Sequence, residues 1–244
     1  MLKGKTAFIT GGSGALGAAI VRVFCRENCR VAFSYKNHPE RARELETELR
    51  GLGGELRAYP LDVLDAKACV ETAAKIEQEL GPVDVLVNNA GSTQILPFAM
   101  IEEKDWDHAM DVNVKGTFLV TKAFARGMIR RKSGSIVNIG SLAGMRMLEV
   151  PVHYATAKSA MVGFTLSLAR EFGRYCIRVN AVAPGMLDGG VSVNVPAKQR
   201  DEYMRYCASS RMGQPAEVAE LVAFLASDRA TYLNAQTILI DGGI

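Results

Sequence analysis

Thr6-Ala7-Phe8-Ile9-Thr10-Gly11-Gly12-Ser13-Gly14-Ala15-Leu16-Gly17 runs from an apolar stretch through a glycine-rich turn into a helical pattern. At such a strand-to-helix turn, backbone N–H groups and the helix dipole can hold a pyrophosphate. A Cβ would block close approach, so Gly11, Gly12, Ser13, Gly14, Leu16 and Gly17 form a candidate phosphate-binding turn. Glycines also serve purely steric ends at turns of this kind, and the position directly after the first apolar run favours the phosphate reading.

The rest of the chain repeats this alternation. Apolar runs at Thr6 to Thr10, Val31 to Ser34, Val83 to Val87, Ile136 to Ile139 and Ile177 to Val182 read as buried strands. Helical periodicity marks Leu16 to Glu27, Pro39 to Leu49, Ala66 to Leu80, Trp106 to Ile129, Tyr154 to Phe172 and Pro215 to Ala226. Strand and helix in alternation predict an α/β fold: a Rossmann-type, doubly wound parallel sheet with helices on both faces and a ligand at the carboxyl ends of the strands. No repeat, low-complexity tract or linker divides residues 1–244, so one domain is expected. Met186 to Pro196 carries Gly189-Gly190 without a helical period and is expected to form a mobile flap.

Composition narrows the function classes. The net charge of +3 comes from mixed Lys, Arg, Asp and Glu, which gives no nucleic-acid footprint. Cys25, Cys29, Cys69, Cys176 and Cys207 form an odd set without a Cys-x-x-Cys pair or interleaved histidines, which argues against a disulfide framework and against a metal site. The apolar segment after Met1 is too short for a signal sequence or a membrane span, so a cytoplasmic protein with reduced thiols is expected.

Chemistry concentrates further along. Tyr154-Ala155-Thr156-Ala157-Lys158 places a phenol and an ammonium four residues apart, on one face of a helix. Ser141 ends Ile136-Val137-Asn138-Ile139-Gly140-Ser141, and Asn113 lies in Asp111-Val112-Asn113-Val114-Lys115-Gly116. Leu61-Asp62-Val63, Asn88-Asn89-Ala90-Gly91 and Pro184-Gly185-Met186-Leu187 follow apolar segments in turn. From Lys3 to Ile244, in order, these motifs resemble the short-chain dehydrogenase/reductase family. The glycine turn matches the family's Thr-Gly-x-x-x-Gly-x-Gly pattern, except that Ala15 stands where the middle glycine is usual.

The resemblance implies an Asn113, Ser141, Tyr154, Lys158 tetrad acting with a nicotinamide dinucleotide. Ketone reduction needs a hydride on carbon and a proton on the oxygen. A free phenol titrates near pH 10, and a cation close by lowers such a value by about 1 to 3, so Lys158 beside Tyr154 suits a general acid. Ser141 would donate to the carbonyl oxygen, Lys158 would also hold the nicotinamide ribose, and Asn113 would anchor a proton-relaying water. Asp62 and Val63 would contact adenine, while Asn89, Ala90 and Gly91 would line the cleft. Pro184, Gly185 and Leu187 would meet the carboxamide, although Gly189 stands where the family often has Thr. As alternatives, Asp62 fits the cap of the helix near Ala66, and Asn113 fits the brace of a helix kink.

Cofactor choice turns on Ser34-Tyr35-Lys36-Asn37 at the second strand's end, where an acid would select NAD(H). Tyr35 replaces that acid and Lys36 adds a cation suited to a 2′-phosphate, so NADP(H) is favoured over NAD(H). Against this, Gly14 stands where NADP-preferring relatives often have Arg or Lys, and a solvated strand-end lysine is the alternative for Lys36.

The end of the chain, from Arg211 to Gly243, looks most like 3-oxoacyl-acyl-carrier-protein reductases. That implies acyl carrier protein as a partner, docking at Arg130, Arg131 and Lys132 with Arg174 nearby, unless these are an ordinary solvated helix end. The loop Met145 to Pro151 is bulkier than that subfamily's, which leaves room for another ketone. Rival readings are an NAD(H)-dependent dehydrogenase of a sugar, steroid or aromatic alcohol, and a non-catalytic dinucleotide-binding protein. The family also implies a homotetramer, and Ala157, Ala160, Met161, Phe164, Thr165, Leu168 and Phe172 exceed one core-facing stripe.

Overall fold

The apolar run that opens the chain has no polar face, because it is covered on both sides. In the computed structural model, which describes residues 1–244, this run is strand β1 (Thr6–Ile9). Ala7 and Ile9 enter one core layer and Phe8 enters the other, where it stacks on Phe124 with ring centroids 4.7 Å apart. The same alternation runs through β2 (Arg30–Tyr35), β4 (Val85–Asn88), β5 (Gly134–Ile139) and β6 (Ile177–Pro184). With β3 (Leu56–Pro60) and β7 (Thr237–Ile240) they form one parallel sheet in the order β3-β2-β1-β4-β5-β6-β7. Strand order reverses between β1 and β4, which opens a crevice at their carboxyl ends.

Helices α1 (Ala15–Arg26), α2 (Pro39–Glu48) and α8 (Pro215–Ala226) cover one face; α3 (Ala66–Leu80), α5 (Gly116–Arg131) and α6 (Val152–Phe172) cover the other. The doubly wound parallel sheet expected from the sequence is the observed fold. Two further helices, α4 (Glu103–Met110) and α7 (Ala197–Tyr206), lie at the carboxyl-end side. No helix is long and apolar enough to cross a membrane.

Several boundaries differ from the sequence reading. The helix expected from Trp106 to Ile129 is α4 and α5 joined by a π-helical turn at Asp111–Lys115. Such a turn inserts a residue without breaking the apolar pattern, so periodicity reads through it. β3 and β7 carry no clear strand signal in the sequence because they are edge strands: only Tyr59 is buried in β3, and no residue of β7 is fully buried. α7 has no buried residue and hence no stripe. The segment expected as a flap contains a 3-10 turn at Gly190–Asn194, with Ser192 buried.

The first turn of α6 buries His153 completely against the side of α4, and neither ring nitrogen has a hydrogen-bond partner. Burial holds the imidazole pKa below its usual value, only partly opposed by the carboxylate of Asp105. The unfolded chain therefore binds the proton more readily. The stability this contributes is complete above the unfolded pKa of about 6.5 and is lost as pH falls below it. Replacing His153 with Leu should flatten the decline of Tm from about pH 6.5 to 5, measured by thermal melts. A slope equal to the parent's would show that another group governs that decline.

Candidate active site

The turn after β1 is shaped by close approach. Gly11 has φ +64°, a conformation that L side chains resist, and a Cβ on Gly17 would come within 2.2 Å of the Gly11 carbonyl oxygen. Gly12 lies against Phe33 of β2, where a Cβ would meet the Phe33 Cβ at 2.5 Å and the ring at 2.7 Å. α1 starts at Gly14 with no side-chain cap, so its first N–H groups point into the crevice without a side-chain acceptor. Ala15 offers its methyl to the backbone of Gly189 and Gly190, at 3.7 and 3.6 Å from their ideal Cβ positions. The segment after β6 thus lies over the turn.

β4 delivers Asn88 and Asn89 to this end of the sheet, and they do different work. Asn89 Nδ2 donates to the carbonyls of Thr10 (2.9 Å) and Gly11 (3.1 Å), while the backbone N–H groups of Asn89 and Ala90 donate to Thr10 Oγ1 at 2.9 Å each. Asn88 instead reaches side chains, donating to Thr121 Oγ1 (2.9 Å) and Asn138 Oδ1 (2.8 Å). Asn138 continues to Thr165 Oγ1 on α6 at 2.9 Å. Thr10 as the hub was not singled out from sequence, although it heads the motif.

At the ends of β2 and β3, Lys36 Nζ lies 2.7 Å from Asp62 Oδ2. Asp62 Oδ1 accepts from the Leu64 N–H at 3.0 Å. Partial burial tends to raise this carboxyl, but Lys36 and the Leu64 N–H outweigh it and hold its pKa below the usual value. The cap of α3 is Asp65, which accepts from the Ala68 N–H at 2.9 Å, so Asp62 is not that cap. Val63 is buried, packed against Gly116, while Tyr35 is half-buried at the end of β2.

Ser141, Asn113, Tyr154 and Lys158 converge beyond β4 and β5. Lys158 is buried; its Nζ donates to the Ile139 carbonyl at 3.0 Å and lies 5.8 Å from the centre of the Tyr154 ring. Burial pushes its pKa down to about 8. Burial also raises the Tyr154 phenol, with only the neighbouring Ser141 hydroxyl opposing it, so the lowering by Lys158 expected from the sequence is not what the fold produces. Ser141 Oγ accepts from the Ala143 N–H at 3.2 Å, which leaves its own proton free to be donated. Asn113 lies in the π turn and braces it: Nδ2 donates to the carbonyls of Ala109 and Ser92, both at 2.9 Å. Its Oδ1 is buried without a partner, and a Cβ on Gly91 would lie 2.7 Å from that oxygen and 3.4 Å from Lys158 Nζ. The bare Gly91 Cα is what brings amide and ammonium together.

Pro184 ends β6, Gly185 donates to the Ile240 carbonyl at 3.0 Å, and the Met186 N–H donates to Tyr203 Oη at 3.0 Å. Leu187 bridges to Gly213. Tyr203 had no sequence signal, since α7 carries no apolar stripe. The basic run fares differently. Arg131 turns inward, donating to the Val83 carbonyl at 2.7 Å and pairing with Glu77 at 3.4 Å, whereas Arg130, Lys132 and Arg174 stay exposed. Arg131 is therefore engaged inside the fold rather than offered to a partner. Arg130, Arg131 and Lys132 close α5 beside the start of β5, and Arg174 lies in the turn after α6; at ~1.5 Å per residue the end of α5 is roughly 24 Å from its Asn113 end.

Uncapped N–H groups at a glycine turn, a cleft held open by bare Cα atoms and an orphaned amide oxygen beside a buried ammonium fit a dinucleotide lying across the crevice. Gly11 to Gly17 would hold its pyrophosphate, Asp62 and Lys36 its adenosine, and Lys158 its nicotinamide ribose. No group of three or more His, Cys, Asp or Glu side chains is placed to hold a metal ion.

The family model described as Enoyl-(Acyl carrier protein) reductase matches residues 12–244. A 3-oxoacyl-[acyl-carrier-protein] reductase of Thermotoga maritima is 37% identical over 243 residues, covering 100% of this chain and 98% of its own length. An acetoacetyl-CoA reductase of Shinella zoogloeoides is 36% identical, covering 98% of each chain. A blue fluorescent protein from a metagenomic library, solved in complex with NADPH, superposes with a TM-score of 0.92 at 34% identity, covering 99% of this chain and 98% of its own.

The geometry of the turn separates two glycines. Gly14 has no neighbour nearer than 3.4 Å to an ideal Cβ, while Gly17 meets backbone atoms at 2.2 and 2.8 Å. Gly14→Ala should change stability by no more than about 0.5 kcal/mol, whereas Gly17→Ala should cost about 1 to 3 kcal/mol and weaken dinucleotide binding. Urea unfolding and nucleotide titration of the two variants would check this; equal effects would mean the turn is not sterically limited.

Proposed function

The chain belongs to the short-chain dehydrogenase/reductase family and is an NAD(P)-dependent oxidoreductase, and from that premise we propose that it reduces a 3-oxoacyl thioester to the 3-hydroxyacyl form with NADPH. The observation that carries this reading is the convergence of Ser141, Tyr154, Lys158 and Asn113 at the carboxyl ends of β4 and β5, beside the glycine turn. The dinucleotide, when bound, supplies the hydride. Ser141 donates to the ketone oxygen as charge gathers there, and Tyr154 transfers its proton to the same oxygen. A phenol pKa raised by burial keeps that proton in place at neutral pH, which suits the direction of reduction. Lys158 supplies positive charge beneath the phenol, and Asn113 holds the exit through which Lys158 regains a proton from solvent.

NADPH is favoured by Lys36 and by Tyr35 where an acid would repel a 2′-phosphate. Arg130 and Lys132, with Arg174, are the basic side chains left to attract an acidic carrier protein, and a coenzyme A thioester is the second reading, supported by the acetoacetyl-CoA reductase relative. The working assembly is a homotetramer in the cytoplasm. Phe118 of α5 and Leu166 of α6 are exposed apolar side chains that such an assembly would cover.

Tyr154→Phe should lower turnover by about 10²- to 10⁴-fold with NADPH binding nearly intact, measured with acetoacetyl thioesters of carrier protein and of coenzyme A. A tenth of the parent activity would sink the mechanism. Because Lys158 titrates at about 8, kcat/KM for reduction should hold below that pH and fall as pH rises through it. A profile still level a full unit higher would remove Lys158 from that role. Light scattering should give about four times the 26.4 kDa of one chain, and a mass near one chain would refute the tetramer.

A further inference from the structure

We propose that Asp62 sets the strength of the cofactor preference by competing with the 2′-phosphate for Lys36. The inference rests on the reading of Lys36 as the phosphate's ligand and adds a second residue that limits it. Pairing of β2 with β3 puts Tyr35 opposite Pro60, so Lys36 and Asp62 leave adjacent strand ends on the same side of the crevice. Their side chains meet at 2.7 Å. Only the lysine is free to move: Asp62 is pinned through its second oxygen by the Leu64 N–H, while Lys36 sits on a flexible stem.

His38 pairs with Glu40 at 2.9 Å, and Arg57 on β3 is taken by Glu79 at 3.1 Å and Glu55 at 3.3 Å. Arg41, exposed in the first turn of α2, has no ion pair and could also meet the phosphate, but it does not change the exchange at Lys36. To be held by Lys36, an arriving 2′-phosphate must draw it away from Asp62, and it then lies close to a fixed carboxylate that repels it. The net gain from the phosphate is a difference between two ion pairs rather than the full value of one. A 2′-hydroxyl makes no such demand, so NADH is discriminated against only weakly.

The test reads the adenosine end alone. Isothermal titration of the whole chain with adenosine 2′,5′-bisphosphate and with 5′-AMP gives a ratio of affinities from which adenine and ribose contacts cancel. Asp62→Asn keeps an oxygen for the Leu64 N–H and should raise that ratio by about two- to five-fold, the range set by exposed ion pairs. Lys36→Ala should bring the ratio towards one, and the effect of Asp62→Asn should shrink in that background. If Lys36→Ala lowers the ratio while Asp62→Asn leaves it unchanged or lowers it, competition is overturned and the phosphate reading stands. If Asp62→Asn acts equally with and without Lys36, a simple field effect replaces competition. If Lys36→Ala changes nothing, both readings fall.

Discussion

At the point where strand order reverses, Thr10 and Asn89 tie β1 to β4 through the two backbone N–H groups that Thr10 Oγ1 accepts and the two carbonyls that Asn89 Nδ2 bonds. These strands are neighbours in the sheet, yet their carboxyl ends part to make the crevice, and backbone polar groups exposed there would go unpaired. One hydroxyl and one amide satisfy them. The same bonds fix the glycine turn relative to Gly91, and hence any bound pyrophosphate relative to Asn113 and Lys158. Each is worth about 1 kcal/mol net, but a partner left buried and unpaired costs about 1 to 3 kcal/mol, so the hub is intolerant of change.

A second polar chain extends that frame to α6. Asn88, Asn138 and Thr165 link β4, β5 and α6 across the core, and the Thr165 hydroxyl donates in turn to the Met161 carbonyl at 2.7 Å. Apolar side chains would hold these elements together but would let α6 slide. Directed hydrogen bonds set its register, and with it the placement of Tyr154 and Lys158 against Ser141 at the end of β5. Lys158 is positioned still more closely by the Ile139 carbonyl.

What could be read from the residues follows burial. β1, β5 and β6 are apolar on both faces and declare themselves; β3 and β7 lie at the sheet edges, and Arg57 and Pro60 in β3 look like loop. The tetrad residues announce themselves because each belongs to a local pattern, and the fold brings them together. Relationships between segments were not legible. Nothing near Lys36 in sequence tells of Asp62, nothing near Arg131 tells of Glu77, and Tyr203 enters the cleft wall from a helix without an apolar face. The π turn was hidden for a different reason: Asn113 and Gly116 continue a pattern that an ordinary helix would also satisfy.

Tyr203, Gly185 and the stretch after β7 are joined in a way that bears on how the protein comes to be made. Gly185 bonds to Ile240, Tyr203 Oη donates to the Asp241 carbonyl at 3.1 Å, and Ala208 and Ser209 bond to Gly243 and Gly242. The wall of the crevice opposite the glycine turn is thus woven from the segment after β6 and from residues 240–243. A ribosome delivers the glycine turn early and this strand and tail late. The crevice therefore acquires its second side only after the glycine turn on its first side has long been made.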